Sequence, residues 1–210
     1  MPLNKSATSF LLRGSLLLVA FLTLWWLALR SPMLFLLRVS AEVPLRLLAG
    51  SAASLTVDPA GDWAFRLPVA DAKFRSIDFT VPRSDLMVFT FGLPVYWAIA
   101  IAATPRGFGA LIKGSALLAA IEILSLLGFV KCEAWSVMAQ LHSSSSGLAQ
   151  WSLELGNYLT ANVIPDTAPF LIAVSLHRQL RSQIFPSGPL PAAPACSSTP
   201  MKIKRRRSRR

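Results

Sequence analysis

Charge is scarce in this chain. Only 15% of its 210 residues are Asp, Glu, Lys or Arg, where a soluble domain carries about 25%, and that excludes an ordinary water-soluble globule. Cysteine is scarcer still, with two residues, so no disulfide framework can organise the fold. Histidine occurs only at His142 and His177, too few ligands for a metal site. A Gly-rich phosphate loop, a serine nucleophile elbow and an HExxH pair are all missing, so no cofactor is expected. What remains is apolar: 53% hydrophobic with a mean hydropathy of +0.52, which a disordered chain does not carry.

The apolar residues fall in runs of membrane-crossing length. The first, 14–30, places Trp25 and Trp26 near its far end, where amphipathic rings prefer the interface. Lys5 and Arg13 would suit a signal peptide, but Leu27-Ala28-Leu29 is a poor cleavage site, and the better Val39-Ser40-Ala41 lies beyond two arginines. A retained anchor is expected. The second run, 86–104, holds Pro94, which neighbouring helices can tolerate in lipid, with Ser84 and Asp85 expected as its caps. The third, 114–131, is interrupted before its terminal Lys131 only by Glu122, with Lys113 at its edge able to snorkel. The fourth, 157–177, contains Asn162, Pro165, Asp166 and Pro169. Its apolar half is too short to span alone, so the helix must begin well upstream.

Charge placement tests the count of four. Thirteen basic residues and no acid fall in the segments 1–13, 105–113 and 178–210, against eight basic and eight acidic residues in 30–85 and 131–156. An excess of Lys and Arg marks the cytoplasmic side, so both ends of the chain are expected inside.

The first outer segment, 31–85, is long enough for structure. Arg38, Glu42 and Arg46 share one helical face, with Leu34, Leu37, Ala41, Leu45 and Leu48 largely opposite. This reads either as an amphipathic helix on the outer leaflet or as an extension of the first span into solvent. After Ser51 the period becomes two. Trp63, Phe65 and Leu67 alternate with polar or small residues, as do Ile77, Phe79 and Val81, and Leu55 with Val57 suggests a third strand across the Asp58–Asp62 turn. The fold class is therefore an α+β membrane protein: four transmembrane helices, with an amphipathic helix and a small antiparallel β module in the first extracytoplasmic loop. Three short strands are marginal alone. Their apolar face, Trp63, Phe65, Leu67, Ile77, Phe79 and Val81, needs the amphipathic helix, the bilayer or a partner as cover, and is a candidate docking face.

Residues 182–200 are rich in Ser, Pro and Ala and read as disordered. They lead to Lys202, Lys204, Arg205, Arg206, Arg207, Arg209 and Arg210. With no folded reader beside them, these residues point to anionic lipid headgroups rather than to a specific nucleic acid.

Two acids lie within the expected spans. Glu122 is nine residues beyond Lys113 and Asp166 twelve before Arg178, so the depths are roughly 13 and 18 Å at helical rise. An intramembrane acid is costly and is a functional candidate by default. The pair could share a proton, while a structural role would have Glu122 bonded to Thr90, Ser125 or Trp97, and Asp166 to amides freed at Pro165. Cys132 and His142 share the expected outer loop 132–156 but match no thiol-catalysis signature. Cys132 reads as a small apolar residue at the lip of the third span, across the membrane from Cys196.

The stretch IDFTVPRSDLMVFTFGLPVYWAIAIA at 77–102, GDWAFRLPV at 61–69, the Trp25-Trp26 anchor and the glycine-bounded third span together resemble the exosortase H-associated membrane proteins. The resemblance extends over about residues 10–180 and leaves out the basic tail. It implies a bacterial inner-membrane partner of a system that processes and sorts C-terminally anchored envelope proteins. The protease is expected to be the exosortase, with a Cys/Arg/His centre that nothing in this chain matches, so no catalytic residue carries over. Two functions follow. One is a non-enzymatic accessory subunit bound to an exosortase or another integral membrane protein; the other is a small transporter or lipid-handling enzyme working through Glu122 and Asp166. The topology is directly testable: alkaline phosphatase fused at Lys73 should be active and a fusion at the carboxyl end inactive, with fluorescent-protein fusions giving the reverse.

Overall fold

The computed structural model describes residues 5–69, 75–103, 108–142, 147–177 and 180, so Lys73, the 143–146 serine run and the basic residues from Lys202 to Arg210 lie outside the described residues. Among the described residues, four helices are long and apolar enough to cross a membrane: Thr8–Ala49, Arg83–Ala103, Phe108–Leu141 and Gly147–Leu176. With a three-stranded antiparallel sheet between the first and second, the protein is an α+β membrane protein.

The first helix does not end at Arg30. α1 (Lys5–Leu24) passes through a π-helical stretch, Trp25–Leu29, into α2 (Arg30–Ala49). A second π-helical stretch, Leu159–Val163, joins α6 (Gly147–Tyr158) to α7 (Ile164–Leu176). Pro32 follows the first stretch and Pro165 the second. Proline withholds an N–H from the preceding turn, and a wider turn re-routes the bonds: Arg30 N–H reaches the Trp25 carbonyl and Ile164 N–H the Leu159 carbonyl.

α2 continues the first span, but not as a bare rod in solvent. It carries three stripes. Leu34, Leu37, Ala41 and Leu45 are buried; Glu42 and Arg46 form an ion pair at 2.6 Å; and Phe35, Val39, Val43 and Leu47 are exposed. Leu48 is exposed as well, outside the buried face expected for it.

The strands are β1 (Ser54–Val57), β2 (Trp63–Pro68) and β3 (Ser76–Val81), paired in that order. Their register sets Leu55 against Phe65, Phe65 against Phe79 and Leu67 against Ile77. Phe65 and Phe79 stack with centroids 5.4 Å apart. At the β1–β2 turn the Asp58 carboxylate accepts the Asp62 N–H at 2.9 Å, while Gly61 takes φ +90°, which suits a residue without Cβ.

The face expected to dock a partner is the inner face of this sheet. Trp63, Phe65, Leu67 and Val81 join one core with Leu34, Leu37, Ala41 and Leu45 of α2, and with Leu126, Leu127, Val130 and Ala134 of α5 (Phe108–His142); Phe79 packs against the same core. Ile77 is buried too. Full burial of a large apolar side chain contributes roughly 1.5–3 kcal/mol, and several of them together stabilise what three bare strands cannot.

Two local expectations are corrected. The helix start at α3 (Arg83–Leu86) carries no side-chain cap of its own; instead Asp62, from the hairpin turn, accepts the Arg83 N–H at 2.8 Å. The region 132–156, read as a loop, is mostly helix, because α5 runs to His142 and α6 starts at Gly147.

Toward the other end, α4 (Val88–Ala103) packs on α5 and α7 around Tyr96, Ala100, Leu118, Ala168, Ile172 and Ala173. The Tyr96 hydroxyl donates to the Ala110 carbonyl at 2.9 Å, and Trp97 Nε1 donates to Ser115 Oγ at 2.8 Å. A Cβ on Gly114 would run into the Tyr96 ring, which is fully buried and held by its hydroxyl. Gly114→Ala should therefore destabilise the protein by about 1–3 kcal/mol through overpacking. Gly109→Ala, whose Cβ would meet nothing within 4 Å, should leave it unchanged. Thermal unfolding in detergent micelles compares the two.

Candidate functional site

Glu122 sits where three helices meet. It is 3% exposed, and its Oε1 lies 2.6 Å from the point a Cβ on Gly92 would occupy. Pro169 Cγ and the Pro165 carbonyl approach the same point at 3.2 and 3.5 Å. The geometry follows from spacing: Pro165 and Pro169 are four apart, so one face of α7 presents both. The second proline also denies the Pro165 carbonyl its helical N–H. An acid and a proline-freed carbonyl thus share the glycine face, a donor–acceptor combination once the acid is protonated.

None of the bonding partners expected for Glu122 is engaged with it. Trp97 bonds Ser115 and the Thr90 hydroxyl bonds the Met87 carbonyl, while Oε1 is enclosed without a hydrogen-bond partner among the described residues. Glu122 also lines a cavity of about 250 Å³ between α2, α4 and α5, walled by Met33, Leu36, Leu37, Phe89, Leu93 and Ile123. Gly92 and the proline pair were missed in the sequence; the only signal was a small residue in one span and a Pro-x-x-x-Pro spacing in another.

Asp166 is not part of this site. Pro165, Ala168, Pro169 and Ile172 form the buried face of α7, whereas Asp166 is exposed. Nor does it satisfy amides near Pro165, because it makes no hydrogen bond among the described residues. The shared-proton arrangement is therefore absent: one acid is enclosed and the other turned outward. Cys132 packs between helices, its Sγ 3.0 Å from the point a Cβ on Gly156 would occupy. Beside it Asn157 donates to Glu133 at 2.7 Å, tying α6 to α5.

The outer face of the sheet is the other candidate. Ser54, Thr56, Ala64, Arg66, Asp78 and Thr80 line a depression of about 270 Å³. Arg66 grips Asp78 with two hydrogen bonds of 2.9 Å. The module is anchored to the spans through Arg83, whose guanidinium donates to Ser31 Oγ at 3.2 Å and whose stem lies 3.2 Å from the point a Cβ on Gly61 would occupy. A polar face is thus held in a set orientation above the helices.

A family model described as exosortase H-associated membrane protein matches residues 4–180. The chain belongs to that family. Its description joins a membrane location to an exosortase system, which agrees with the four apolar helices. No curated protein and no solved structure matches the chain. The matched range takes in the spans, the β module and Glu122, and leaves out the basic residues from Lys202 to Arg210.

The outer ion pair gives a pH test. Hydrogen bonds from Arg66 hold the Asp78 carboxyl below the usual carboxylate range. A carboxylate lowered on folding stabilises above its unfolded pKa and loses that contribution as pH falls through the lowered value. Wild type should therefore exceed Arg66→Ala in stability by a small margin at neutral pH, and the margin should vanish in strong acid. The Asp78 carboxyl carbon shift should titrate at higher pH in Arg66→Ala. An unchanged midpoint would remove the pair from the account.

Proposed function

We propose that this chain is a non-enzymatic accessory subunit of an exosortase sorting system in the bacterial inner membrane. Both ends face the cytoplasm, and the β module stands on the outer side to dock the exosortase or the tail of its substrate. The observation that carries this reading is the way the sheet is mounted. Its inner face is committed to α2 and α5, so its polar outer face and the outward edges of β1 and β3, each paired on one side only, are left for an incoming segment. Edge strands accept extended peptides through backbone hydrogen bonds, and pockets on the face add selectivity. The scattered chemistry supports the same reading: Glu122 is enclosed, Asp166 points elsewhere and Cys132 is packed between helices. The transporter or lipid-enzyme alternative needs the two acids to act together, and their separation does not favour it. No cofactor is invoked, and the basic residues from Lys202 to Arg210 would hold anionic headgroups on the cytoplasmic side.

Co-purification from detergent-solubilised membranes tests this. Tagged wild type should bring down the exosortase, and Thr56→Arg combined with Arg66→Glu should lower the yield about tenfold, equivalent to about 1.4 kcal/mol, without lowering the amount of protein in the membrane. Unchanged sorting of envelope proteins after clean deletion of the gene would remove the proposal.

A further inference from the structure

Asp166 stands well inside an apolar stretch that runs through α7, residues 159–176, about 10 Å from one end and about 15 Å from the other at helical rise. It is exposed, and its neighbours Phe170 and Leu171 are 57% and 65% exposed. A lipid-facing Asp at such depth costs about 2.5–3.5 kcal/mol on the insertion scale, and its short side chain cannot snorkel to an interface as Lys or Arg can. Among the described residues it has no ion-pair or hydrogen-bond partner. The intervals 14–29, 86–104, 114–130 and 157–177 contain no Lys or Arg. A second copy of the chain would therefore bring no cation to this depth, and two facing aspartates could not both stay ionised.

We infer that the Asp166 face of α7 is the seat of a span of a different integral membrane protein, which brings a Lys or Arg side chain to Asp166 within the bilayer. This rests on the accessory reading above and names the surface through which the exosortase is held. Thr167 beside Asp166 is exposed, while Pro165 and Pro169 are buried against the rest of the protein, so the acid is displayed to a neighbour instead of closing the internal core. The apolar surround adds packing, and the buried charge pair sets register and partner choice.

The test places a photoreactive amino acid at Thr167 in intact membranes, with co-purification beside it. The expected result is an adduct with the exosortase, lost at least tenfold in Asp166→Leu and retained in Asp166→Glu. Because Asp166 is exposed and makes no hydrogen bond or ion pair with a described residue, the variants should accumulate normally, which membrane abundance and the unfolding temperature check. Adducts formed only with lipid, with a second copy or with another protein overturn the inference. So does an exosortase adduct undiminished in Asp166→Leu. If wild type co-purifies with the exosortase while the Thr167 adduct is absent or insensitive, this surface is wrong and the accessory reading stands. If neither co-purification nor a sorting defect on deletion is seen, the accessory reading falls with it.

Discussion

A three-stranded sheet with one apolar face cannot persist with that face in water, and the rest of this architecture is organised around covering it. The cover comes from two helices that also belong to the spans. α2 continues the first membrane helix, and the buried stripe of Leu34, Leu37, Ala41 and Leu45 meets Trp63, Phe65 and Leu67. α5 supplies Leu126, Leu127, Val130 and Ala134 from beyond the middle of its span. Because the same helices cross the bilayer and carry the sheet, the module is held in place by its own core. The Asp62–Arg83–Ser31 junction fixes the hairpin turn to the start of the second span and the base of α2. A domain tethered only through flexible linkers would present the same strands without a set orientation.

The commitment of the inner face changes what the module can do. Aromatic side chains that would make hot spots on an open surface are internal here, and the exposed outer face is polar, centred on Arg66 and Asp78. The docking proposed for that face would rely on backbone edges, hydrogen bonds and shape more than on apolar area. Apolar contact is instead available lower down, along the exposed stripe of α2 and around Asp166 on α7. On the function proposed above, the polar surface would take an extended peptide and the apolar one a helix within the lipid.

The prolines serve the membrane region in a related way. Each π-helical stretch precedes one, and at Pro169 the freed carbonyl of Pro165 lies against Gly92 beside Glu122. In lipid, irregular backbone persists only where it is enclosed by protein, and this junction meets that condition. Glu122 is accordingly an internal group of a three-helix contact, whereas Asp166, one position beyond Pro165, is an external one. Adjacent helical positions differ by about 100° around the axis, so a single residue separates the two roles.

Much of this was written locally in the chain. Hydrophobic runs marked four helices, and the two-residue alternation in 54–81 marked three strands and their inward residues, except Val57, which is exposed at the end of β1, because these patterns follow from periodicities of the backbone alone. The family could be read from the strand-to-helix segment at 77–102. Other features depended on residues far apart in sequence. No local pattern could say that α2 would be the sheet's cover instead of a helix on the leaflet, that Asp62 would cap a helix 21 positions later, or that residues 132–142 would prolong the third helix. Nor could depth along a helix reveal direction around it. Glu122 and Asp166 both read as acids deep within a span, and only the packing of α4, α5 and α7 decided that one faces protein and the other the outside, since a helix face becomes buried or exposed only when its neighbours arrive.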